Sequence, residues 1–188
     1  MSEGYGEEQG WGGLWSVDRE HSKVEFAVRY LVPDTTGVFG EVAGTISLDE
    51  ENPENSSVEA TIEVYSLDTG RPKRDEDLLE REEFLEAERF PQITFQSTQV
   101  ELSDDDRMEV YGDLTIRDVT REVMLDVQYK DHSVDGAGAH RAVFEAKTEL
   151  SREEFGIDWG GTPGQVVIGD TVTVRLYLEA VREGFFKV

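Results

Sequence analysis

The three histidines of this 188-residue sequence are the side chains whose unperturbed titration falls near neutral pH, and no cysteine accompanies them. A thiolate nucleophile, a disulfide and a thiolate metal site are therefore excluded. His132 and His140 flank an Asp135-Gly136 turn, with Asp131 beside them. Two imidazoles and a carboxylate resemble a zinc donor set, but no further ligand has convincing spacing, so a solvated loop without metal is expected. His21 stands between Glu20 and Ser22 at the head of an alternating run. A relay through Ser22, His21 and Asp18 is ruled out, because neighbouring strand residues point to opposite faces. The 42 acidic residues mark no buried general acid, and no glycine-rich loop opens a helix after a strand to cradle phosphate. The expected sets of catalytic residues, metal ligands and cofactors are all empty. The residues give no support for an enzyme.

Charge narrows the partners. Against those 42 acids stand 18 bases, only five of them lysine, for a net charge of -24. Nucleic acid is an unfavourable partner, since phosphate binding requires cations to displace counterions. Anionic bilayers are repelled, and no run reaches the roughly 18 apolar residues of a membrane span, so stable membrane insertion is not expected. The N-terminus, MSEGYGEEQGWGG, carries no basic stretch and no apolar stretch of a secretory leader. A cytoplasmic location is expected, or a periplasmic or exported one if a leader has been removed. An acidic, lysine-poor surface suits concentrated salt, and it also suits plain solubility.

The elements that must position any site announce themselves by alternation. Residues 1–13, with five glycines and three glutamates, are expected to be a flexible acidic tail, leaving 14–188 as one domain. Val24, Phe26 and Val28 alternate with Lys23, Glu25 and Arg29. Val38, Val42, Ile46 and Leu48 share one phase, which places Phe39 on the polar face as a possible homodimer contact. Similar runs follow around 58–65, 93–95, 110–116, 123–129, 142–146 and 172–178. One apolar and one polar face is the signature of half-buried antiparallel strands. Asp118 closes a tight turn between two of them, where its short side chain tolerates left-handed backbone. Residues 74–91 break the alternation. They are rich in Leu, Glu and Arg before Pro91, with Asp77 and Glu80 at capping-box spacing, and predict a helix near 77–89. About eight long one-faced strands must pack as a sandwich or close as a barrel. Pattern alone leaves open whether the interior is filled or holds a ligand.

Several stretches resemble the YceI-like, polyisoprenoid-binding family. Val17-Asp18-Arg19-Glu20-His21-Ser22 with Phe26 and Val28 is similar to its opening. Val38 to Val42 with Gly44 and Ile46, Ser66 to Gly70 with Arg74-Asp75, and residues 84–98 (FLEAERFPQITFQST) follow in order. So do residues 112–123 (GDLTIRDVTREV) and Ser151-Arg152 with Phe155-Gly156-Ile157. Asp77 stands where the family has histidine, and Leu85, Glu86, Asp118 and Glu154 replace Phe, Asp, Gly and Asp.

The resemblance implies an all-β fold, an extended antiparallel eight-stranded lipocalin-like β-barrel with one inserted short helix. It also implies a tunnel that binds, stores or transports a long apolar lipid: an isoprenoid, an isoprenoid quinone or a fatty-acid derivative. The alternative is a ligand-free structural or interaction module. The expected tunnel lining is Phe26, Val28, Val42, Ile62, Val64, Phe95, Leu114, Ile116, Phe144, Val174 and Leu176. Phe84, Phe90, Phe155 and Trp159 are expected at the mouth. Arg74 and Asp75 are candidates to meet a head group or, alternatively, to pin the helix by an ion pair.

Overall fold

The structure is a computed structural model and describes residues 12–30, 34–158 and 168–184. Among these residues, eleven strands form one antiparallel sheet: β1 (Gly13–Val17), β2 (Lys23–Tyr30), β3 (Thr35–Phe39), β4 (Val42–Leu48), β5 (Ser57–Glu63), β6 (Leu67–Asp68), β7 (Gln92–Asp104), β8 (Arg107–Ile116), β9 (Val119–Val134), β10 (His140–Ser151) and β11 (Ile168–Arg182). The order β1-β4-β5-β7-β8-β9-β10-β11 closes on itself through pairing of β1 with β11. Closure removes the unpaired edges that an open sheet would expose.

The remaining strands extend three of the eight staves. β1 pairs with residues 180–182 of β11, and β2 pairs with residues 168–177 of the same strand, so β1 and β2 form one interrupted stave. β4 and β3 form the next in the same way, and β5 and β6 the third. The expected eight-stranded barrel is thus built from eleven segments. The barrel also takes in Gly12 and Gly13, because the Gly12 carbonyl accepts a hydrogen bond from Arg182 Nη2 and β1 starts at Gly13.

Each interruption shifts the inward phase. Between β3 and β4 the residues Gly40 and Glu41 belong to neither strand, so Phe39 and Val42, three residues apart, both face inward. Phe39 is buried, which corrects its expected outward position and removes the basis for a dimer contact through it. A register shift between Ser97 and Gln99 does the same to β7: Ile93 and Phe95 face inward before it, and Val100 after it. Gly44 serves the curvature. A Cβ there would lie 2.3 Å from the carbonyl oxygen of Glu59, so only glycine lets β4 press this closely on β5.

The inserted helix, α1 (Pro72–Glu80), begins earlier and ends sooner than 77–89. Pro72 sets the first turn with a backbone angle already suited to helix, and no side-chain capping bond forms. Beyond Glu80 the chain unwinds and folds back. Leu85 and Ala87 donate their amides to the carbonyls of Leu78 and Leu79, and Glu86 takes a left-handed φ of 48°. The reason is burial. A continuous helix would put Ala87 opposite Leu78, whereas both are buried with Phe84 and Leu85 packed beside them. The left-handed residue of the β8–β9 turn is Arg117 (φ 56°), not Asp118.

Candidate functional site: an apolar chamber inside the barrel

The inward faces of the staves do not meet. They enclose a cavity of about 210 Å³ whose wall, among the described residues, presents carbon and no polar atom. It reaches from Leu48, Ser56 and Met108 near one end of the barrel to Leu78, Phe84, Leu85, Phe155 and Ile157 near the other. A water-sized group needs roughly 10–15 Å³ of such space, so the chamber has room for on the order of fifteen carbon-sized groups. Water itself would find no hydrogen-bond partner there.

Of the residues expected to line a tunnel, Phe26, Val28, Val42, Ile62, Phe95, Leu114, Ile116, Phe144, Val174 and Leu176 border the cavity. Val64 does not. It is buried in the short turn Val64–Ser66 that separates β5 from β6, and its amide bonds to the Pro91 carbonyl. Phe84 and Phe155 border the cavity at the helix end; Phe90 does not border it, and its ring sits 4.9 Å from the Arg89 guanidinium. Trp159 lies outside the described residues. More than half of the lining was not expected, including Phe39, Val100, Leu150, Val172 and Arg152. Arg152 is nearly buried and uses Nε and Nη1 on the carbonyls of Gly169 and Ile157.

Two phenylalanines are seated by glycine. A Cβ on Gly37 would come within 2.4 Å of the Phe26 ring, and one on Gly112 within 2.5 Å of the Phe95 ring. Phe26 also meets the Phe39 ring at 5.5 Å. These rings occupy glycine-made recesses in the wall, which keeps them close to the sheet.

The helix end is held by Arg117. Its Nη1 donates to the Glu82 carbonyl at 2.7 Å, and its Nη2 donates to the carbonyls of Gly156 at 2.6 Å and Phe155 at 3.3 Å. One guanidinium thus ties the folded-back segment after α1 to the short turn Glu153–Phe155. Arg74 and Asp75 do not border the cavity. Asp75 Oδ1 accepts from the Thr69 amide at 3.0 Å and from the Thr69 hydroxyl at 2.5 Å, which anchors the entry to α1.

Asp18, His21 and Glu179 gather donor atoms within 4.8 Å of one another, as a cation site could. The centre is taken by Arg141, whose Nη1 lies 2.9 Å from both Asp18 Oδ2 and Glu179 Oε1. His21 Nδ1 meets Asp18 Oδ2 at 3.0 Å, and this bond holds the His21 pKa above its usual 6.5. The Ser22 hydroxyl accepts the Glu179 amide at 3.0 Å, so it bridges the break between β1 and β2 and is not turned to His21. These residues close the barrel. His132 and His140, expected in a solvated loop, are half-buried strand residues with stacked rings and a 2.9 Å Nε2 to Nδ1 contact.

A closed antiparallel barrel of eight staves, with one short helix and an apolar interior, is a lipocalin-like fold. The pattern defining the YceI-like domain matches residues 15–180, and the chain belongs to that family. Protein YceI of Salmonella newport (strain SL254) is 35% identical over 146 residues, 76% of this chain and 75% of that protein. The crystal structure of Burkholderia cenocepacia BcnA superposes with a TM-score of 0.77 at 22% identity, covering 87% of this chain and 98% of that one. A polyisoprenoid binding domain from Saccharophagus degradans superposes with a TM-score of 0.67 at 17% identity, covering 89% and 98%. Among the described residues, no helix is long and apolar enough to cross a membrane.

Proposed function

We propose that the protein holds a long apolar lipid in this chamber, for storage or transport, and performs no chemistry on it. The observation that carries the reading is the wall, which runs along the barrel and presents only carbon. A ligand there is bound by burial, at about 0.8 kcal/mol per methylene against water. Against a membrane the gain is far smaller, because acyl chains are equally apolar, so such a carrier can load and unload. Among the described residues the wall presents no general acid or base, which supports binding over catalysis. The polyisoprenoid binding domain among the structural neighbours supports an isoprenoid chain. An isoprenoid quinone or a fatty-acid derivative meets the same wall equally well. The lining phenylalanines, with Phe84 and Phe155 at the helix end, are the ligand contacts of this reading.

Native mass spectrometry of freshly purified protein, followed by solvent extraction, tests it. A co-purifying lipid mass that is lost on extraction is expected. Protein that emerges free of lipid, and then fails to take up added farnesol or geranylgeraniol, would overturn the reading.

A further inference from the structure

Resting on that reading, we propose that the ligand head group carries no negative charge: the protein accepts prenyl or acyl chains ending in an alcohol, phenol, quinone or amide and rejects those ending in phosphate or carboxylate. Among the described residues the cavity wall offers no hydrogen-bond donor, so an anionic head that followed its tail inside would be buried unpaired. The head must stay at a rim.

Both rims are acidic. At the helix end, residues 69–91 contain eight acids and five bases, and residues 152–158 contain three acids and Arg152. Of the bases there, Arg71 and Arg74 are counted in that balance without ion pairs among the described residues, and the others are engaged. Lys73, Arg81 and Arg89 pair with acids of the same segment, and Arg117 and Arg152 donate to main-chain carbonyls. At the opposite end, the loop between β4 and β5 carries Asp49, Glu50, Glu51 and Glu54 with no base. The β7–β8 turn adds Asp104, Asp105 and Asp106 against Arg107. Whichever end admits the ligand, an anionic head meets a net negative ring. A diphosphate facing about five net charges at roughly 10 Å should bind on the order of tenfold or more weakly than the matching alcohol in 0.1 M salt. In 1 M salt, where the Debye length is about 3 Å, the gap should close.

Farnesol and farnesyl diphosphate share a fifteen-carbon chain that suits the chamber. Equilibrium dialysis of each, tritium-labelled, against the full chain at 0.1 M and 1 M sodium chloride reads the discrimination. Retention of farnesol with loss of the diphosphate at low salt, narrowing at high salt, is expected. Equal affinities at low salt would overturn the proposal and leave the lipid-carrier reading standing. Binding of neither ligand would overturn the carrier reading, and this one with it. A variant carrying E50Q, E51Q, E54Q, E82Q, E83Q and E88Q, all exposed side chains, should gain affinity for the diphosphate at low salt with farnesol unchanged. A folded variant that still discriminates as fully would show that rim charge is not the cause.

Discussion

Arg117 Nη1 lies 2.7 Å from the carbonyl oxygen of Glu82, 35 residues earlier in the chain. Arg117 reaches it from a backbone of left-handed φ, 56°, and its Nε is buried with no partner among the described residues. A non-glycine residue in that conformation with an unpaired buried donor is costly, by about 1–3 kcal/mol for each feature. The cost is offset by its hydrogen bonds to three main-chain carbonyls where the fold-back meets the Glu153–Phe155 turn. Arg117 is the fastening of the chamber's helix end.

Arg117→Ala should therefore destabilise the protein by about 1–3 kcal/mol and loosen the helix end selectively. Hydrogen exchange should show faster exchange at the Phe84, Leu85 and Ala87 amides, while β8 and β9 remain protected. Arg117→Lys should behave like the alanine variant, because a single ammonium cannot span carbonyls of two segments as the planar fork does. Uniform exchange across the barrel in the alanine variant would argue against a local fastening.

The Asp18, His21 and Arg141 group predicts opposite pH responses from its two titrating members. The bond to Asp18 raises the His21 pKa, so the stabilisation is complete below the unfolded value of 6.5 and is lost as pH rises through the folded value. Asp18 is pushed upward by burial, but its bonds to Arg141 and His21 win and lower it below 3.8. Its contribution is present above 3.8 and is lost as pH falls through the folded value. Melting temperature should thus fall slightly between pH 6 and 8 in the native protein, and His21→Gln should flatten that part of the profile alone. Asp18→Asn should reduce both slopes. A His21→Gln profile parallel to that of the native protein between pH 6 and 8 would sink the assignment.

Inside the barrel, the seated rings separate two kinds of damage. Gly44→Ala drives a Cβ against the Glu59 backbone, which cannot move without parting β4 from β5, so a loss of about 3 kcal/mol or more is expected. Gly37→Ala meets the tip of the Phe26 ring, which can swing toward the chamber, and should cost about 1–2 kcal/mol while reducing lipid uptake. Phe26→Glu buries an unpaired carboxylate at the same place and should abolish uptake at a cost of several kcal/mol. Glu25→Gln, which removes only an exposed pairing with Lys23, should change neither. Denaturant melts with farnesol binding on each variant decide the order. Gly44→Ala proving milder than Gly37→Ala would contradict the backbone contact.

Sequence pattern read the barrel well where strands run uninterrupted. In β2, β8 and the part of β11 from Val172 onward the inward set follows from alternation, because nothing there shifts the period-two phase. It failed wherever a residue was inserted: Phe39 across Gly40-Glu41, and Val100 beyond the shift near Thr98, are apolar residues whose inward direction depends on an irregularity with no local signal. The fold-back after α1 was hidden for another reason. Residues 81–90 have helical composition, and only the burial of Ala87 against the barrel end unwinds them. The Asp18–Arg141 pair joins positions 123 residues apart, which no spacing in one sequence reveals. The absence of a polar atom on the cavity wall follows from the same distant packing. Arg152 borders the cavity through carbon because the carbonyls of Gly169 and Ile157 hold its guanidinium.

The last prediction rests on charge alone. A net charge of -24 on one closed barrel raises its free energy by self-repulsion, and unfolding relieves this by spreading the charges. The ion pairs in the structure, such as Lys73 with Glu76 and Arg107 with Asp126, leave most acids without a cation, since only 18 bases face 42 acids. Salt shortens the Debye length from about 10 Å at 0.1 M to about 3 Å at 1 M, which is below the spacing of most surface charges. Exposed pairs such as Lys23 with Glu25 are weakened too, but each contributes about 1 kcal/mol at most. Repulsion among many acids therefore dominates the response. Melting temperature should rise steadily with sodium chloride between 0.1 and 1 M, on the order of 5 °C in all. Glu59→Lys with Glu149→Lys, both exposed on outward positions, should raise stability at 0.1 M and flatten the response. Potassium chloride should act like sodium chloride, because screening depends on ionic strength and not on a bound cation. A melting temperature that stays flat or falls across this range would remove self-repulsion as a major term, and the salt-adapted reading of the acidic surface with it.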